Sequence, residues 1–130
     1  MRLLLDSQVL LAVVRKDVAA KLGSAIDLLL RSPANDKIIS AASLWEIAIK
    51  HRLSKLHFAL PLEDFPGYFT SMGFDLLAVD HRHAIERLAN ELQTRDPFDR
   101  LLLAQCQVEG LLLVTIDRAL KIHPLAWRPA

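Results

Sequence analysis

Four acids in this chain of 130 residues stand where a fold could gather them: Asp6, Glu46, Asp99 and Asp117. Asp6 ends the apolar run Leu3-Leu4-Leu5, and Asp117 follows Leu111-Leu112-Leu113-Val114-Thr115-Ile116. Asp99 belongs to Thr94-Arg95-Asp96-Pro97-Phe98-Asp99-Arg100-Leu101-Leu102-Leu103-Ala104-Gln105, the stretch that organises the chain. Brought together, these side chains offer only oxygen donors, which suit Mg²⁺ or Mn²⁺. Such ions activate water and stabilise charge on a transferring phosphoryl group, so the chemistry indicated is metal-dependent phosphodiester hydrolysis. The cation also removes a penalty. At ~5 Å and an effective dielectric of about 20, each pair of carboxylates costs roughly 3 kcal/mol.

The elements that position the acids can be read from pattern. Arg2 to Leu5 is a buried strand with Asp6 just past its carboxyl end, where open α/β sheets collect ligands. Ser7 to Val14 and Val18 to Arg31 read as helices, the second with Gly23 inside it. Lys37-Ile38-Ile39 is the next strand, and Ser40 caps a helix running from Ala41 to about Leu53. His51 to Pro61 is a basic connection. In Leu62 to Met72, Pro66 and Gly67 argue against one straight helix. Its apolar residues are expected to pack in the core, with a projecting helical hairpin or a partner surface as the alternatives. Phe74 to Val79 is a strand, and Asp80 caps a helix from His81 to Asn90, with His81 and His83 expected at the surface. Asp96 as N-cap, Pro97 at the first position and Gly110 as stop define the helix Pro97 to Glu109. Leu111 to Thr115 is the last strand, Arg118 to Ile122 a short turn, and His123 to Ala130 an edge strand or packed end.

Strand followed by helix, repeated about four times, implies a mostly parallel central sheet covered on both faces: a three-layer α/β/α sandwich in a single domain over residues 1–130. Each acid also has a plainer explanation. Asp6 and Asp96 could be helix caps, and Glu46 could pair with Lys50 one turn on, contributing roughly 0.3–0.5 kcal/mol at an exposed site. Against that, Ser43, Glu46 and Lys50 form one narrow polar stripe on an otherwise apolar helix, so the stripe is expected to face a cleft. Asp99 shares its face with Leu102, Leu103 and Cys106, a costly place for a carboxylate without a partner. A reciprocal cap with Asp96 is the alternative there.

Half the residues are apolar and about a quarter charged, as in globular proteins. With one cysteine there is no disulfide framework, and Asp6, Ser7 and Gln8 interrupt the apolar start before it resembles a signal peptide. A soluble cytoplasmic protein without a membrane span is expected. Lys and Arg total sixteen against fifteen acids. If four acids share one pocket, eleven remain, leaving +5 elsewhere to attract phosphates weakly. No Cys/His zinc spacing occurs.

Leu3-Leu4-Leu5-Asp6-Ser7, Ser40-Ala41-Ala42-Ser43-Leu44-Trp45-Glu46-Ile47-Ala48-Ile49-Lys50, Arg95 to Gln105 and Val114-Thr115-Ile116-Asp117 together resemble the successive motifs of PIN domains, closest to VapC-type toxins of bacterial toxin–antitoxin pairs. The resemblance covers nearly the whole chain. It implies a Mg²⁺- or Mn²⁺-dependent endoribonuclease acting on RNA, a homodimer, and a cognate antitoxin that blocks the site. By the same resemblance Asp6, Glu46 and Asp99 are the first three acids and Asp117 the more variable fourth, all metal-holding and catalytic. Ser7, where the family usually has threonine, Asp96 and Thr115 take supporting positions. Gln8 stands where histidine is common. Two other classes are weighed beside this one: a PIN-fold module that binds RNA or protein without cleaving, and a phosphotransfer enzyme using Asp6 as nucleophile. The latter usually carries a second aspartate where this chain has Gln8.

Overall fold

The computed structural model describes residues 1–92 and 96–130, so Thr94 and Arg95 of the organising stretch lie outside the described residues. The strands are β1 (Arg2–Leu5), β2 (Asp36–Ser40), β3 (Asp75–Leu77) and β4 (Leu112–Val114). They form one all-parallel sheet in the order β3-β2-β1-β4, with Leu3 opposite both Lys37 and Leu112. The β1 and β2 strands are interior, and β1 is fully covered: Leu3, Leu4 and Leu5 are completely buried. A run of leucines with no alternation is what a strand covered on both faces requires.

The helices are α1 (Ser7–Val14), α2 (Val18–Leu22), α3 (Ser24–Arg31), α4 (Ala41–Arg52), α5 (Phe65–Ser71), α6 (His81–Ile85), α7 (Pro97–Glu109) and α8 (Arg118–Lys121). Leu3, Leu5, Ile39 and Val114 face a core built with α1, α3 and α5, while Leu4, Ile38 and Leu113 face α7 and α8. Helix α4 serves both layers, giving Ile47 to the first core and Ala42 to the second. That double role explains why its sequence is apolar almost all the way round, and why its polar stripe is narrow. Ser40 caps it by accepting from the Ala42 N–H at 3.0 Å.

Several boundaries differ from the sequence pattern. Val18 to Arg31 is two helices, because Gly23 takes φ +93°, which interrupts the helical path. The strand expected from Phe74 to Val79 is only Asp75–Leu77, and the helix expected to reach Asn90 stops at Ile85. Leu62 to Met72 resolves into a 3-10 turn, Leu62–Asp64, and then α5. Phe65 and Phe69 of α5 are completely buried and Phe69 stacks on Phe74 at 5.6 Å, so packing accounts for this segment. The tail is a packed end: Leu113 and Ala126 form an isolated parallel bridge beside β4.

His83 is the clearest correction. Expected at the surface, it is completely buried. Its Nδ1 accepts the Asp80 N–H at 3.0 Å and its Nε2 meets Glu109 Oε1 at 3.0 Å, while Asp80 accepts from the Arg82 N–H. The ring closes a capping box and fastens α6 to the far end of α7.

Candidate active site at the carboxyl edge of the sheet

Asp6 leaves β1 where the strand is held to its neighbour by the Asp6 N–H donating to the Val114 carbonyl at 3.0 Å. It occupies the N-cap position of α1, yet its side chain makes no capping bond. The carboxylate is free of that duty and instead lies 5 % exposed at the sheet edge. Thr115 Oγ1 donates to its Oδ2 at 2.6 Å and Ser7 Oγ to its Oδ1 at 3.2 Å. Burial pushes the Asp6 carboxyl above its ordinary range, and the Glu46 charge adds to the rise while the two hydroxyls oppose it. Thr115 does a second task, since its Oγ1 accepts the Asp117 N–H at 3.1 Å.

Glu46 is 7 % exposed on α4, as the stripe argument requires. Its Oε2 accepts from Lys50 Nζ at 2.8 Å. Both sequence readings of Glu46 therefore hold in part: the pair with Lys50 forms, but on a buried carboxylate. Ser43, one turn earlier on the stripe, is 1 % exposed and its Oγ has no partner among the described residues. Trp45 departs from the expectation of a mostly buried helix. It is 59 % exposed and meets Phe98 of α7 edge-on, with ring centroids 5.6 Å apart.

Asp96 caps α7, accepting from the Phe98 N–H at 2.9 Å and the Asp99 N–H at 3.4 Å. Among the described residues Asp99 returns no bond to the Asp96 backbone, so the reciprocal box does not form. Asp99 heads the stripe of Leu102, Leu103 and Cys106, all essentially buried. Burial, then the charges of Asp96, Asp6, Asp117 and Glu46, push its carboxyl up to about 7. Asp117 is exposed and caps α8, with Oδ1 accepting from the Ala119 N–H at 2.8 Å and the Leu120 N–H at 3.3 Å.

The acids expected from the sequence thus share one electrostatic neighbourhood, drawn from β1, α4, α7 and the end of β4. They are not a finished cage: among the described residues no three His, Cys, Asp or Glu side chains are already set to hold a metal ion. A divalent cation nonetheless fits the donor set. The acids offer only oxygen donors, and Asp99 is raised to about 7 by burial and then by negative neighbours whose charge a cation would offset.

A pH dependence follows from Asp99. Its folded pKa of about 7 lies above the unfolded value of 3.8, so the folded state holds the extra proton between them. Stability contributed by that proton is present below about pH 4 and lost as pH rises through about 7. Without divalent cations, thermal melts of the wild type are expected to decline from pH 5 to 8 more steeply than those of Asp99→Asn. Parallel curves for the two proteins would contradict the electrostatic account.

Comparison with known proteins gives the family. The chain is 42 % identical over 57 residues to Ribonuclease VapC16 of Mycobacterium tuberculosis (strain ATCC 25618 / H37Rv), an alignment covering 43 % of this chain and 40 % of that relative. A match to the PIN domain family extends over residues 3–123. Because that match takes in all four acids, the segments between them and nearly the whole sheet, the chain belongs to the PIN domain family.

Proposed function

We propose that the protein is a metal-dependent endoribonuclease that hydrolyses RNA phosphodiester bonds and acts as the toxin of a toxin–antitoxin pair. The observation that carries this reading is Asp99, a carboxyl that burial, and then the charges of Asp96, Asp6, Asp117 and Glu46, raise to about 7. Asp6, Glu46, Asp99 and Asp117 would hold Mg²⁺ or Mn²⁺. When bound, the cation would supply charge stabilisation to the phosphoryl group and lower the pKa of a water. Thr115 and Ser7 fix the Asp6 carboxylate through their hydroxyls. Asp96 is spent as the cap of α7, accepting from the backbone N–H groups of Phe98 and Asp99. The RNA substrate is inferred from the relative's name, Ribonuclease VapC16, and the cognate antitoxin and homodimer from the resemblance. A cytoplasmic location belongs to the same reading. No helix among the described residues is long and apolar enough to cross a membrane.

The test is cleavage of single-stranded RNA with Mn²⁺ or Mg²⁺, compared with a chelated sample and with Asp6→Ala. Cleavage that needs both the cation and Asp6 supports the reading, and equal cleavage in all samples overturns it. Binding should also be visible as stability. A cation at tenfold its dissociation constant adds about 1.4 kcal/mol, or roughly 5 °C in melting temperature for a chain of this size. An unchanged melting temperature at millimolar Mn²⁺ would count against any metal site here.

A non-cleaving RNA- or protein-binding PIN module is the second reading. One observation favours it: Glu46 is already paired with Lys50, and Asp96 and Asp117 are already spent as caps. RNA binding that ignores the cation, without cleavage, would select it.

A further inference from the structure

Glu46 and Lys50 pose a question of occupancy. A carboxylate buried beside Asp6 and Asp99 needs a positive neighbour, and α4 supplies one four residues on, where helical geometry places it within reach. Lys50 Nζ lies 2.8 Å from Glu46 Oε2, with its own side chain 45 % exposed. The bond to Glu46 raises the Lys50 pKa, with smaller contributions from the charges of Glu46, Asp96 and Asp6. One cation of the chain is therefore already bonded to one of the acids. Lys50 reaches the pocket from solvent on four flexible bonds, so it can leave without disturbing α4.

We propose that Lys50 is the resident counter-ion of the acid pocket, a placeholder that the divalent cation must displace, and that Lys50 thereby sets the metal affinity of the site. This inference rests on the nuclease reading. An ammonium and a divalent ion on the same carboxylate repel each other, so Glu46 serves one or the other. Ser43 supports the exchange. Its buried hydroxyl has no partner among the described residues, and it stands one turn from Glu46 on the same stripe. A buried hydroxyl left unsatisfied in one state is readily explained if another state uses it.

The experiment is Mn²⁺ titration by calorimetry on the full chain, wild type beside Lys50→Met and Lys50→Arg. Lys50→Met is expected to bind Mn²⁺ about tenfold more tightly and to melt lower in the absence of metal. Lys50→Arg, which keeps the charge, is expected to stay within about threefold of wild type. Equal or weaker binding by a folded Lys50→Met overturns the inference and leaves the nuclease reading intact. Absence of Mn²⁺ binding by the wild type overturns both. A readout on the unmutated protein covers the case in which Lys50→Met does not fold. The Lys50 side-chain ammonium signal in NMR, slowed in exchange by its bond to Glu46, should be lost as Mg²⁺ saturates the protein. A signal that persists at saturation overturns the exchange. A solvent-side ion pair with no part in the pocket would move neither measurement.

Discussion

Asp99→Asn is expected to lower metal-dependent RNA cleavage by about 10²–10³-fold or more while leaving the protein folded. An amide is nearly the same shape as the carboxylate but supplies no negative charge to a cation. The helix start is unaffected, because α7 is capped by Asp96 and Pro97 rather than by Asp99. Stability should move the other way. At pH 8 the wild-type carboxylate is charged in a half-buried setting with Asp96, Asp6, Asp117 and Glu46 around it, and the amide removes that repulsion. Allowing for solvent screening, the metal-free variant should gain about 1–2 kcal/mol. Loss of activity with a raised melting temperature identifies a group held against its own stability, which is common at functional sites. Wild-type cleavage by a clean preparation of Asp99→Asn would remove Asp99 from the site.

The second large effect belongs to the opposite layer of the sandwich. Phe69→Ala is expected to cost about 3–5 kcal/mol, a large share of the 5–15 kcal/mol that a domain has in total. Phe69 is completely buried, meets Phe65 and Tyr68 edge-on at 6.0 and 5.6 Å, and stacks on Phe74 at 5.6 Å. Truncation leaves a hole among rings that cannot all close in. A urea titration should show the midpoint falling sharply, with cleavage per folded molecule unchanged at low temperature, since the acids arise from other elements. A shift under 1 kcal/mol would mean the aromatic group is not the keystone of that layer.

These outcomes also mark where pattern was informative. Asp6 was legible because three buried leucines end abruptly at a charge, and the structure leaves that carboxylate without capping duty. Ser40, Asp96, Pro97 and Gly110 were legible because helix ends have local chemistry; Gly110 indeed takes φ +69°. The polar stripe of α4 was expected to face a cleft, and Glu46 on it is 7 % exposed. What was illegible depended on distant partners or on backbone angles. His83 is buried because Glu109, 26 residues away, meets its ring. The α6 helix ends early because Glu86 turns to extended backbone at ψ 133°. Gly23 gave a warning but not the direction of its break. Trp45 stays exposed although Phe98 of α7 packs against it in a T-shaped pair. The organisation of the acids was thus readable in outline, whereas the pairing of Glu46 with Lys50 could only be weighed.

The bond from Thr115 to Asp6 joins residues 109 positions apart. A ribosome making this chain releases the first acid 109 residues before this hydroxyl partner. Until β4 slides in beside β1, a growing polypeptide owns an aspartate without its Thr115 bond. Whatever chemistry the edge performs therefore waits on the arrival of β4.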